Sequence, residues 1–459
     1  MALDWEKIDR WIMGEAWVGS RVESHISTLC NKIGPRWASS PGEQKAIEYI
    51  NGEMTASGLS HPRIEEFELK TWKHGPEEAR VVEDNRRIDL LPFLYCPPVD
   101  TQGPIVDTGF GMPHELAVVA DCLPGAVAVV SLVQEPFTDP RPLPDRLQDV
   151  QAAGAVAAVV VERKSGSRME YHSATDWRRG QVFDHPVPTV VTSREDGSLL
   201  RLLAAEGKHL AIKVQSHIYS ATGLNTLADL SGNLWSEASI VVGAHHDTVF
   251  GSPGGNDNAS GVTVVLETAC VLSLLQQACG FAPGCNIRFC TWSAEEQAFQ
   301  GAEAYVRRHH GPEPLPRLVI NLDELATGPI KGIALQFPHL RPLVQGILDE
   351  IGEGLRCHVL AHLDASSDGF PFTRRGIPSG ILWRWRFVGR HPDADFHHEP
   401  GDTADKVRPR ELREYVGLLA RILLRLSHVP PAEWPANPLQ EDDIAARIKS
   451  ELGTVGRTM

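Results

Sequence analysis

Residues 239–247 read Ser-Ile-Val-Val-Gly-Ala-His-His-Asp, an apolar run that stops on two histidines and an aspartate. Three later runs repeat the pattern. Residues 286–292 lead into Glu295 and Glu296, residues 317–322 into Asp323 and Glu324, and residues 379–383, after a longer loop, into His397 and His398. Between about 225 and 428 such strand-like runs alternate with helical patterns. This argues for an α/β fold, a mixed and mostly parallel sheet flanked by helices on both faces. In open parallel sheets ligands bind outside the carboxyl ends of the strands. Four polar clusters at four such ends are therefore expected to converge, although they lie far apart in the chain.

A fifth element is the loop 251–261, Gly-Ser-Pro-Gly-Gly-Asn-Asp-Asn-Ala-Ser-Gly, followed by an apolar segment from Val262 that reads as an amphipathic helix capped by Ser260. A glycine-rich loop before a helix can cradle phosphate. This one lacks a lysine and presents Asp257, a carboxylate suited to a cation. His245, Asp257, Glu296, Asp323 and His398 together supply two imidazoles and three carboxylates, enough to nearly neutralise two divalent ions and acidify a water between them. Glu295 is placed to take that water's proton and pass it to a leaving amine. Asp247, two residues along an extended run from His245, is placed to hold the other imidazole nitrogen. His246 should face the opposite way. Each piece has a plainer reading alone: H-x-D as structure, Glu-Glu as charge at a helix start, Asn-Asp-Asn as a turn. Their occurrence in order, each at a strand end, argues for one site.

The motifs GAHHDT, GGNDNASG, TWSAEEQAFQGAEAY, NLDE, SSDGFPF, GIP and FHHEPGDT, in that order and spacing, resemble the co-catalytic zinc exopeptidase family, which includes bacterial zinc aminopeptidases and plasma glutamate carboxypeptidase. The resemblance covers nearly the whole chain. LCNKIGPRWASSPGEQKAIEYI and TWKHG resemble the N-terminal part of the carboxypeptidase branch, and LQDVQAAGAVAAVVV resembles the protease-associated domain inserted in many members. The resemblance implies that Asp257 bridges two metal ions, with His245 and Asp323 completing one site and Glu296 and His398 the other. It also makes Glu295 the general base and Asp247 the residue that orients a ligand. The family places its histidine four residues before the Asp of a D-T pair, here Asp402-Thr403, which selects His398 over His397. Where the aminopeptidases commonly carry S-D-H, this chain has Ser367-Asp368-Gly369; the carboxypeptidase branch also lacks that histidine, so the departure speaks against the aminopeptidase branch's substrate preference and not against the metal site.

Asp368 and three arginines, Arg384, Arg386 and Arg390, are the candidate substrate contacts. The arginines lie among Trp383, Trp385 and Phe387 and could clamp a substrate carboxylate, or could be half-exposed strand residues beside core tryptophans. The implied activity is that of a metal-dependent exopeptidase, aminopeptidase or dipeptidase/carboxypeptidase-like, cleaving small peptides with a water activated by two metals. Zinc is the default, and manganese or cobalt would suit the same ligands. The rival readings are an amidohydrolase for a non-peptide amide, N-acyl amino acid or arylamine on the same scaffold, and a binding relative without catalysis.

The 459 residues exceed one ordinary core. We divide them into an N-terminal catalytic part (1–96), an inserted α/β domain (97–217), the main catalytic domain (218–430) and a tail (431–459). Lys and Arg total 44 against 59 Asp and Glu, and the −15 balance disfavours nucleic acid and anionic membranes. Apolar stretches such as 152–161 are about half a bilayer span. The N-terminus reads as a charged amphipathic helix without export features, and the eight cysteines form no C-x-x-C pair. A cytoplasmic protein with buried thiols is expected, and the family implies a homodimer.

Overall fold

The structure, a computed structural model, describes residues 4–175, 177, 183, 185–384 and 395–455. The chain forms two compact units, one made of residues 1–69, 221–389 and 400–449, the other of 70–220, 390–399 and 450–459.

The sheet of the first unit runs in the order His358–Ala361, Ile330–Leu335, Ser379–Arg384, Leu318–Asn321, Trp235–His245, Cys285–Trp292, then residues 226–230. The four strands expected from the apolar runs lie side by side and mutually parallel; an antiparallel neighbour stands at each flank. Side chains alternate across the sheet as the pleat requires. Ile240, Val242, Leu318, Ile320, Ile287 and Phe289 enter one core, whereas Val241, Val319, Cys290 and Trp292 enter another. Helices cover both faces. Ser260–Cys279 and Pro409–Ser427 lie against the first core, and Gln300–His309 and Gly369–Arg374 supply residues to the second. The α/β reading holds.

The helix Ser260–Cys279 departs from the expectation of amphipathicity. Fourteen of its twenty residues are buried, including Glu267, which accepts from the Arg21 amide and pairs with His25. Length and apolar composition make 255–279 long enough to cross a membrane, unlike 152–161, but two thirds of its most apolar 18-residue window is buried as core. Nor does Ser260 cap it. Its hydroxyl donates to the Asn256 carbonyl and accepts from the Leu325 amide, and the first-turn amide of Gly261 is met by Asn258 Oδ1 at 2.9 Å. At the other end Gly280 takes φ +67° and closes the last turn, a conformation that favours glycine.

In the second unit Val99–Asp107, Val127–Ser131, Ala157–Val161 and Thr189–Thr192 pair in parallel, and Leu90–Pro92 adds antiparallel to the last. Helices Leu143–Ala152 and Arg194–Ala205 supply buried residues to its cores. The unit boundaries, after 69 and after 220, fall inside two 22-residue strands, Ser60–Val81 and His209–Leu230; the second lies three residues from the expected 217, whereas the first precedes the expected 96 by 27 residues. The tail folds as a helix, Glu441–Val455, with Ile444 buried. All eight cysteines are free, and Cys122 and Cys279 are exposed, contrary to the expectation of buried thiols.

Candidate metal centre

Parallel register sets Trp292 beside His245 and Asn321 beside Gly243, so three central strands end at one edge. His245 is the last residue of its strand, Glu295 and Glu296 follow the turn after Trp292, and Asp323 follows Asn321 by two residues. The polar groups meet around one imidazole. His245 Nε2 stands 3.1 Å from Asp257 Oδ1 and 3.2 Å from Asp323 Oδ1. One ligand atom each from His245, Asp257 and Glu296 lie within 4.8 Å of one another, and so do those of His245, Glu295 and Asp323.

The loop before the long buried helix delivers Asp257. Gly254 adopts φ +58°, and a Cβ there would fall 2.3 Å from the Asp257 carbonyl oxygen, so the loop needs glycine at this point. Asp402 grips the next turn, its two oxygens accepting from the amides of Asn256 (2.8 Å) and Asp257 (2.9 Å). The flanking asparagines stitch the loop to the strand end that carries Asp323. Asn258 Nδ2 donates to the Leu322 carbonyl, while Asn256 donates to Glu324 Oε1 and accepts from the Ala326 amide. The Asp257–Asn258 peptide is cis.

Asp247 faces the other nitrogen of His245 and has a second set of partners. The hydrogen bond from His245 Nδ1 goes to the Asp247 carbonyl oxygen at 3.2 Å, with the carboxylate at 3.5 Å. The carboxylate itself accepts the amides of Glu295 (3.1 Å) and Glu296 (3.3 Å), fixing the turn that carries both. His246 faces away, as expected, toward Thr291 Oγ1 (2.8 Å) and Glu43 (3.3 Å).

The electrostatics call for a cation. Burial pushes the Glu295 carboxyl well above its usual range, His245 opposes this, and Glu296, Asp323 and Asp368 reinforce it. Asp368 is raised in the same way, first by burial. For His245 burial works against protonation, but Glu295, Asp323, Asp247 and Asp257 together hold the imidazole well above the ordinary histidine value. Asp368 is fully buried, and neither of its oxygens has a hydrogen-bond partner among the described residues. A buried carboxylate in that state is costly unless positive charge lies near. Oxygen-rich ligands with one imidazole, crowded until their protons are retained, fit divalent metal.

Of the residues singled out in the sequence, His245, Asp247, Asp257, Glu295, Glu296, Asp323 and Asp368 gather in the first unit. His398 belongs to the second, with its Nδ1 3.0 Å from the Tyr171 carbonyl and its ring stacked on His397. Arg386 and Arg390 lie outside the described residues, and only the backbone of Arg384, the last residue of its strand, is described. The sequence reading assigned no role to Asp402, used only as a landmark for His398, nor to Glu43 and Arg36. Glu43 Oε1 accepts from the Ser293 hydroxyl two residues before Glu295, and Oε2 accepts from the Ser39 amide. Buried acidic or basic character at those positions was the only available signal, and a sequence does not display burial.

Residues 225–423 match the model of peptidase family M28. Among curated proteins the chain resembles carboxypeptidase Q of Bos taurus (24% identity over 415 residues, 86% of this chain and 82% of the relative). It also resembles aminopeptidase YwaD of Bacillus subtilis (25% over 409 residues, 85% and 81%). Among solved structures it resembles a zinc aminopeptidase from Bacillus subtilis with TM-score 0.70 at 22% identity, covering 91% of this chain and 97% of that one. A peptidase M28 precursor from Shewanella amazonensis gives TM-score 0.73 at 18% identity, covering 95% and 99%. At such identities the structures speak to the fold.

Proposed function

We propose that the chain, whose residues 225–423 match the model of peptidase family M28, is a metallo-exopeptidase hydrolysing the amide bond of small peptides with a pair of divalent ions, zinc by default. The observation that carries the reading is the ring of carboxylates closing on His245, with Asp368 buried beside it and its oxygens without a hydrogen-bond partner among the described residues.

His245 and Asp323 would hold one ion, with Asp257 and Glu296 reaching the other. When bound, the ions supply Lewis acidity to the scissile carbonyl and lower the pKa of water. The remaining work belongs to side chains of this chain. Glu295, held on its turn by Asp247, takes a proton from the attacking water on its carboxylate and returns it to the departing nitrogen, so that amide and water become acid and amine. Asp402 holds the backbone at Asn256 and Asp257 through two amides, which fixes the turn that presents the Asp257 carboxylate. The raised Glu295 suits a group that must hold a proton between these events. Asp368 sits beside Glu295 and adds to the negative field that makes it basic.

Metal analysis of the gently purified chain, with dipeptides, aminoacyl anilides and N-acyl amino acids assayed side by side, tests the reading. Glu295→Gln should retain bound metal and lose turnover by roughly 10²–10⁴-fold. A variant nearly as active as wild type would remove Glu295 from this role, and activity confined to non-peptide amides would replace the peptidase assignment.

A further inference from the structure

Arg36 lies some two hundred residues before the centre in sequence, yet its side chain is fully buried behind it. Nε donates to the His246 carbonyl at 2.8 Å. Nη1 reaches the carbonyls of Leu29 (3.2 Å), Gly34 (3.0 Å) and Pro253 (2.6 Å), and Nη2 reaches that of Gly254 (3.2 Å). All five acceptors are backbone oxygens. The main chain of Arg36 is held as well, its amide donating to Thr248 Oγ1 at 2.9 Å and its carbonyl accepting from the Thr248 amide. Thr248 Oγ1 donates in turn to the carbonyls of Val249 (3.1 Å) and Ser252 (3.0 Å) at the start of the glycine loop.

The acceptors are informative. His246 separates His245 from Asp247 in the strand end, and Pro253 and Gly254 begin the turn that presents Asp257. One rigid group therefore bonds both backbone segments whose side chains meet at His245 Nε2 and Asp257 Oδ1. We propose that Arg36 is a positioning residue of the centre, fixing the Asp257 loop against the His245 strand end and thereby setting the affinity for the cation. This rests on the metal reading above. A guanidinium donates from three nitrogens fixed in one plane, so it reaches both segments at once, with its two Nη1 hydrogens shared among three carbonyls, whereas a lysine ammonium donates from one point. The fit is close at the loop, where a Cβ on Gly254 would come within 2.9 Å of Nη2. Charge points the same way. Burial lowers the guanidinium's hold on its proton and Cys30, Asp247, Asp402 and Asp257 oppose this; because a guanidinium keeps its proton in proteins, a cation stands beside the carboxylates it helps to arrange.

The test uses the full chain, stripped of metal and titrated with zinc or cobalt(II) against a competing chelator, with unfolding midpoints recorded with and without metal. Arg36→Lys should weaken metal binding by roughly 10–100-fold, shift the cobalt absorption bands, and lose more of the metal-bound than of the metal-free midpoint. If both midpoints fall equally while affinity and spectrum match wild type, Arg36 is only a brace of the fold and the proposal fails. Should the lysine variant not unfold cooperatively, Arg36→Gln, which buries no charge, is read by the same criteria. A wild-type chain that takes up neither ion would instead overturn the metal reading on which the proposal stands.

Discussion

Asp247 is where one side chain most clearly serves three others. Its carboxylate accepts two consecutive amides, those of Glu295 and Glu296, and also faces His245 Nδ1. Two acceptor oxygens are needed for two N–H groups, and an amide side chain can supply only one. Asp247→Asn would turn an NH₂ group toward a backbone N–H and leave a buried donor without an acceptor. The turn should then move and carry both glutamates with it. We expect both kcat and metal affinity to fall roughly 10–100-fold with KM nearly unchanged, because the turn carries the proton carrier Glu295 and the proposed ligand Glu296 together. Steady-state kinetics with metal content measured on the same samples check this. A rise in KM with kcat intact would place Asp247 in substrate binding instead.

The helix Ser260–Cys279 shows how elements carry the site. Its first turn is capped not by Ser260 but by Asn258, whose Oδ1 accepts from Gly261 and Glu324 and whose Nδ2 donates to Leu322. One buried amide thus caps the helix and ties it to the strand end bearing Asp323. Asn258→Ala should cost roughly 2–3 kcal/mol, a lost cap plus buried groups left unmet, read as a lower urea midpoint at unchanged m-value. A loss of a few tenths of a kcal/mol would mean that the apolar packing of the helix alone fixes it. The Asn-Asp-Asn triplet looked like a turn in sequence, and its asparagines turn out to hold the aspartate's loop. The strands were legible for a different reason. Runs such as 239–243 and 317–322 cannot be buried except as strands among helices, and a carboxylate or histidine at each end marks the edge where a parallel sheet binds ligands. Arg36 and Asp402 were not legible, because their partners are backbone groups, and hydrogen bonds to backbone leave no pattern in side-chain identity. The unit boundary after 69 was hidden for a related reason, since the strand Ser60–Val81 runs on through it.

At the scale of the whole chain, two sets of buried groups pull stability in opposite directions as pH changes. In the first unit Glu65 lies against His309, Arg63 and Arg308, and in the second Glu170 lies against His172 and Lys164. Despite the opposing effect of burial, both carboxyls are pushed down to about 2. Each is depressed on folding, so its contribution is complete above the ordinary carboxylate range and is lost as pH falls through that range toward 2. The centre behaves in the reverse sense. Glu295, Asp368 and His245 are all raised without metal, so the folded chain holds protons that the unfolded chain releases. Stability from that source is present at low pH and declines as pH rises from the ordinary carboxylate and histidine values upward. Divalent ions replace those protons, and their binding should strengthen over the same interval. Removing metal with a chelator should therefore lower the unfolding midpoint more at pH 8 than at pH 6. High salt should leave that difference standing, because screening weakens surface pairs far more than a buried cluster. A chelation effect that is equal at both pH values, or that disappears with salt, would mean that the carboxylates around His245 do not share one buried ion site, since only groups crowded in a common low-dielectric pocket exchange protons for metal in this way.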